Sequence, residues 1–121
     1  MGPESRRKVK KTMAERSPDY QAFWPRYLAE HSKPGTQLLH AVGTGLGLVL
    51  LAVAIITGNW WLLLPALITG YAFAWVAHAT VERNTPTTFT HPWWSFISDF
   101  RMFALYVTGR LARERARYQL D

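Results

Sequence analysis

The chain has no cysteine. That excludes a disulfide framework and any metal site built on thiolates, and it leaves the redox compartment open. From Pro34 to Val81 there is no Lys, Arg, Asp or Glu. An uncharged, largely apolar run of that length exceeds what the core of a 121-residue soluble domain needs. An early apolar segment of the secretory type is also missing, because the first 37 residues are mostly polar. The opening Met-Gly-Pro-Glu-Ser-Arg has Arg6 where the myristoylation pattern wants Ser or Thr. No internal repeat of useful length appears.

What is present is a hairpin pattern. A spanning helix takes about 20 apolar residues, and Pro34–Val81 holds two such lengths around Thr57-Gly58-Asn59, a turn-forming trio. The fold expected is all-α: a membrane helical hairpin with spans at about 37–56 and 59–79, flanked by amphipathic helices. Residues 1–16 read as a disordered basic tail and residues 17–121 as a single membrane helical domain. Gly43 and Gly47 make a small-xxx-small pair on the face of His40, matched by Gly70 and Ala74 on the face of His78, with Leu67 further along that face. A homo-oligomer through the glycine face is a further possibility of this pattern. Trp60 and Trp61 mark the far interface.

The basic balance, 14 Lys and Arg against 8 Asp and Glu, fits the same reading. Eight cations precede the hairpin, six follow it and the turn has none. The positive-inside rule then puts both termini in the cytoplasm of an integral membrane protein, in the inner membrane if the source is bacterial. Nucleic acid is not the expected partner, since the cations are not interleaved with aromatics on one folded face.

The flanks follow local rules. Ser17-Pro18 reads as a helix start with Ser17 as N-cap. A helix follows to about Glu30, bent at Pro25, with Phe23, Trp24, Tyr27 and Leu28 on one face. Lys33-Pro34-Gly35 reads as its stop. One helix is expected from Pro92 to about Tyr118. Asp99 and Arg101 make it a poor spanning segment and suit a helix lying in the membrane plane or packed on the hairpin.

The ionisable side chains to weigh are His31, His40, His78, Glu82, His91 and Asp99. Folding at Thr57–Asn59 brings His40 level with His78, and Glu82 lies i+4 from His78. Imidazoles with a carboxylate form a ligand set for Fe(II), Zn or Mn. The competing reading is plain: interfacial histidines that anchor by hydrogen bonds, and Glu82-Arg83 as a capping pair. Ionisable groups at membrane depth favour function. Tyr71 is placed to hydrogen-bond within the pair or to touch a bound substrate.

Two motifs sharpen this. His31-Ser-Lys-Pro34 with His40 is H-x2-P-x5-H entering a span. His78-x3-Glu82-Arg83-x2-Pro86 is H-x3-E-[KR]-x2-P leaving one. Together they resemble the small membrane proteins of the fungal 2-hydroxy fatty acid dioxygenase family, and Trp94–Phe103 is similar to the tail of its short bacterial members. The resemblance covers about Phe23 to Leu111. It implies an Fe(II)-dependent dioxygenase that shortens a 2-hydroxy fatty acid by one carbon. It implies His31, His40 and His78 as iron ligands, with Glu82 as a further ligand, a catalytic group or a residue orienting the ligands. Lys33, Arg83 or Arg101 would hold the substrate carboxylate, and membrane lipid or fatty acyl chains would be the partners. The alternative is a non-enzymatic hairpin, a scaffold or a lipid or metal carrier with structural histidines.

Overall fold

The computed structural model describes residues 2–4 and 17–120. The basic tail expected over residues 1–16 lies almost wholly outside them. Among the described residues the regular structure is entirely helical. In chain order it comprises α1 (Tyr20–Ala29), α2 (Pro34–Thr57), a 3-10 turn (Trp60–Leu62), α3 (Leu63–Val76), a π turn (Ala77–Glu82), a 3-10 turn (Thr87–Phe89), α4 (Pro92–Val107) and α5 (Leu111–Arg117). These make two compact units. One is the hairpin, Lys33–Pro86; the other combines the N-terminal segment to Ser32 with Thr87–Asp121.

The hairpin unit contains two segments long and apolar enough to cross a membrane, Pro34–Thr57 and Trp60–Glu82. In the most apolar stretch of each only 17% is buried, so most residues there face outward. A core helix of a soluble protein would show the opposite. The first helix begins earlier than expected. Pro34 does not stop the preceding helix but stands in the first turn of α2, where its missing N–H costs nothing and its fixed φ suits the helix. Gly58 ends α2 with φ +70, a left-handed cap that glycine adopts without a Cβ clash.

Small residues set how closely the two helices approach. A Cβ on Gly43 would lie 2.6 Å from Cβ of Phe73 and 3.3 Å from the Gly70 carbonyl oxygen. One on Gly47 would lie 3.1 Å from the Ala66 carbonyl. The expected glycine face is therefore a real packing face, and it is occupied within the chain. The expected partner face is met in part: Ala74 is buried and the Gly70 carbonyl faces Gly43. A Cβ on Gly70 would meet nothing, and Leu67 is 48% exposed. The closest contacts on that arm are Phe73, the Gly70 carbonyl and the Ala66 carbonyl, so the packing face lies slightly to one side of the row counted back from His78. Pro65 sits in the first turn of α3, as expected.

In the second unit, α1, α4 and α5 bury Phe23, Trp24, Tyr27, Leu28, Met102 and Leu111 together. Asp19, not Ser17, caps α1: its Oδ1 accepts the Ala22 N–H at 2.8 Å. Ser17 instead donates its own N–H to His91 Nε2 at 3.2 Å. Pro25 leaves α1 unbroken. The single last helix expected from sequence is two, because Gly109 takes φ +73 and the Arg110 N–H returns to the Leu105 carbonyl at 2.8 Å. That is the left-handed stop that α-helices commonly use.

Tyr27 is buried and donates its hydroxyl to Asp99 Oδ1 at 2.5 Å. Burial raises the Asp99 carboxyl to about 7, against the opposing effect of the Tyr27 hydrogen bond. Burial, and next the Asp99 charge, raises the Tyr27 phenol well above its ordinary range.

Two outcomes follow from this packing. Gly43→Leu should cost about 1–3 kcal/mol by overpacking, whereas Gly70→Ala should be neutral or gain up to about 1 kcal/mol from helix propensity; thermal unfolding in detergent micelles compares them. The folded Asp99 keeps its proton up to about pH 7 and the unfolded residue releases it near 3.8. The folded state holds the extra proton between those values, so this group's contribution is full below pH 4 and is lost as pH rises to 7. Melting temperature should fall across that window, and Asp99→Asn should flatten the fall.

Candidate metal centre

His40 lies in the second turn of α2 and His78 in the π turn that ends the other arm. Both are buried. Their rings meet edge to face at 86°, and His40 Nε2 stands 3.3 Å from His78 Nε2. The sequence expectation that the hairpin gathers these two histidines is met.

What fixes the His78 ring is an interaction the sequence reading missed. His78 Nδ1 lies 2.5 Å from Asn84 Oδ1. An amide oxygen only accepts, so Nδ1 carries the hydrogen and Nε2 keeps its lone pair. Asn84 also donates its N–H to the His78 carbonyl at 3.0 Å. The chain reaches this position through the π turn and Arg83, a non-glycine residue at φ 61, ψ 49. A left-handed residue with a Cβ costs about 1–2 kcal/mol. Such strain persists where surrounding structure holds it, often at functional sites. The only sequence sign of this was the Asn-Thr-Pro that ends the segment, which reads simply as a stop.

Glu82 is anchored at the neck of the hairpin. Its Oε1 accepts the Lys33 N–H at 2.6 Å, and Lys33 Nζ donates to the Val81 carbonyl at 2.9 Å. Lys33 is the residue before α2, so the carboxylate satisfies one amide that a helix start leaves open. Arg83 is exposed beside it. Tyr71, half-buried on α3, lies against Trp75 with ring centroids 5.7 Å apart. Thr36, one turn before His40, is fully buried and its hydroxyl has no hydrogen-bond partner.

The remaining candidates lie in the second unit. His31, buried, brings Nδ1 to 2.6 Å from the Tyr27 carbonyl and stacks its ring on Tyr27 at 4.1 Å. The carbonyl again requires the hydrogen on Nδ1 and leaves the lone pair on Nε2. Buried Arg115 donates to the Leu28 and His31 carbonyls and so holds the end of this helical segment. His91 is different. Its Nε2 accepts from Ser17, its Nδ1 donates to Thr90 Oγ1 at 2.8 Å, and its ring stacks on Trp94 at 8°. Both nitrogens serve packing. Arg101 lies over the Trp24 ring, 4.0 Å from its centroid, as a cation–π contact. It belongs to the unit that does not contain the histidine pair.

The fold and these side chains define an all-helical chain that buries a pair of imidazoles at the closed base of an apolar hairpin. The family described as "2-hydroxy-palmitic acid dioxygenase Mpo1-like" matches residues 17–111. The chain belongs to this Mpo1-like family. Comparison with curated proteins and with solved structures returned no match.

The neck contact has a measurable consequence. Glu82→Ala should lower stability by about 0.5–2 kcal/mol, the scale of a lost helix cap, and Glu82→Gln should keep most of it. An unchanged melting temperature in Glu82→Ala would mean that the carboxylate does not hold the neck.

Proposed function

We propose that this chain is a membrane-bound, Fe(II)-dependent dioxygenase that shortens 2-hydroxy fatty acids by one carbon. The observation that carries the reading is the buried pair of imidazole nitrogens, His40 Nε2 and His78 Nε2, 3.3 Å apart. Two ligands each about 2.1 Å from one ion, at tetrahedral or octahedral angles, stand roughly 3.0–3.4 Å apart. The donor set therefore fits a divalent metal. The orphan Thr36 hydroxyl one turn from His40 adds to this, since a buried polar atom without a partner calls for a bound group. The family's printed description supplies the substrate class.

In this reading His31 is the third ligand. It stands two residues before the hairpin unit, and its Nδ1 is already engaged by a carbonyl, the arrangement that metal-ligating histidines use to present Nε2. Fe(II), when bound, supplies the binding and reduction of dioxygen. Glu82 holds the neck from which α2 starts and so keeps the ligand-bearing arms in register. Lys33 and Arg83, at the same end of the hairpin, attract the substrate carboxylate. The apolar flank of the hairpin near Tyr71 accommodates the acyl chain, which arrives from lipid. The two outward-facing apolar segments span the membrane, and the cation balance puts both termini on the cytoplasmic side.

The decisive measurement is metal content and turnover of protein purified in detergent. The expected result is one Fe(II) per chain, oxygen uptake with 2-hydroxypalmitate and release of the acid one carbon shorter. His31→Ala, His40→Ala and His78→Ala should each lose iron and activity together, by at least about 100-fold. Protein that binds no Fe(II) under anaerobic conditions would sink the enzyme reading and leave a structural hairpin or a carrier. A reporter fused at Asp121 tests the topology separately, and a signal from the non-cytoplasmic side would overturn it.

A further inference from the structure

The π turn, the left-handed Arg83 and Asn84 form one continuous device, and its product is a single hydrogen bond. Asn84 holds His78 at both ends: its N–H on the His78 carbonyl at 3.0 Å, and its Oδ1 on His78 Nδ1 at 2.5 Å. An α-helical continuation from Val76 would carry residue 84 away from residue 78 along the helix axis. Only the wider turn followed by a reversal at φ 61 brings the Asn84 amide back over the imidazole.

We infer that Asn84 is a positioning residue that selects the Nδ1–H tautomer of His78 and aims its Nε2 lone pair at His40. The inference rests on the metal reading for its functional meaning, but its first consequence belongs to the protein alone. A neutral imidazole carries one hydrogen on either nitrogen, and the neighbour decides which. With Asn84 in place the hydrogen is held on the side away from His40. His78 Nε2 then acts as an acceptor toward His40, or toward an ion between them. If the hydrogen moved to Nε2, it would point at His40 Nε2, and His78 would be closed to any metal approaching there.

The residue type matters as well as the place. A carboxylate here would accept the same hydrogen and make the imidazole a stronger donor to a metal. An amide leaves the ligand neutral and the donor moderate. Asn84→Asp therefore separates geometry from basicity, and Asn84→Leu removes both at similar volume.

The test uses the full chain in detergent micelles, labelled with 15N-histidine and free of metal. Long-range 1H–15N correlation reads the tautomer of each imidazole directly. The expected result is that His78 shows a protonated Nδ1 in the wild type and in Asn84→Asp, and shifts to a protonated Nε2 in Asn84→Leu. A Co(II) titration followed by its visible bands is the second readout. Asn84→Leu should bind about 10–100-fold more weakly than wild type, the usual effect of removing such a partner, and Asn84→Asp at least as tightly as wild type. A wild-type His78 protonated on Nε2 would overturn the inference. So would an Asn84→Leu protein that keeps the wild-type tautomer. If Asn84→Leu does not fold, the inference stands or falls on the wild-type tautomer and on Asn84→Asp, which must keep it. If the wild type binds no Co(II) or Fe(II) while its tautomer depends on Asn84, the positioning role stands and the metal reading falls.

Discussion

Gly43 sets the distance between the two arms of the hairpin. Phe73 Cβ and the Gly70 carbonyl occupy the space that a side chain at residue 43 would need. Without water to drive apolar faces together, membrane helices associate through such close backbone packing. Everything at the base of the hairpin depends on it. His40 is one turn from Gly43 on the same helix, so the approach fixed at Gly43 also fixes how near His40 comes to the other arm. A wider separation would part the two imidazoles, and the Lys33–Glu82 contact at the neck would part with them.

The histidines sort by what holds their Nδ1. In His31 and His78 that nitrogen meets an oxygen that only accepts, a carbonyl in one and an amide oxygen in the other. Both rings are thereby set to offer Nε2. In His91 the polarity is spent inside the unit, between the Ser17 amide and the Thr90 hydroxyl, with aromatic rings on Trp94 and Phe23. Tyr27 illustrates how densely the second unit uses its polar atoms. Its carbonyl orients His31, its ring stacks on His31 and Trp24, and its hydroxyl binds Asp99. Asp99 and Arg101 are thus both engaged with α1, the first with Tyr27 and the second with Trp24.

Much of this was legible along the chain. The uncharged run and its central turn announce two apolar helices, and the spacing of His40 and His78 about that turn predicts that they meet. Gly43 and Gly47 read correctly as contact residues because 3.6-residue spacing holds throughout α2. The same arithmetic held in part on the other arm, where Ala74 is buried and the Gly70 carbonyl faces Gly43 while Leu67 is exposed. No propensity distinguishes a π turn at Ala77–Glu82 from an α-helix, so the path of the backbone beyond His78 was not legible. The split of the last helix turned on one backbone torsion at Gly109, and the cap of α1 on which of two neighbouring polar residues reached the Ala22 amide. Asn84 was unreadable for a related reason: residues six apart do not face each other in an α-helix, so nothing in the spacing linked it to His78.

The sequence by itself determined the all-helical hairpin, its apolar outer surface, the pairing of His40 with His78 and the family, through residues whose periodicity and motif spacing are local properties of the chain. The tertiary structure decided which nitrogen His31 and His78 offer, that Glu82 clasps the start of α2, that both nitrogens of His91 are hydrogen-bonded and that Arg101 lies over Trp24. These depend on atoms brought together from distant positions or through irregular backbone. Hydrogen-bond direction, unlike hydrophobic burial, is set by a single partner at a single angle, and no periodicity encodes it.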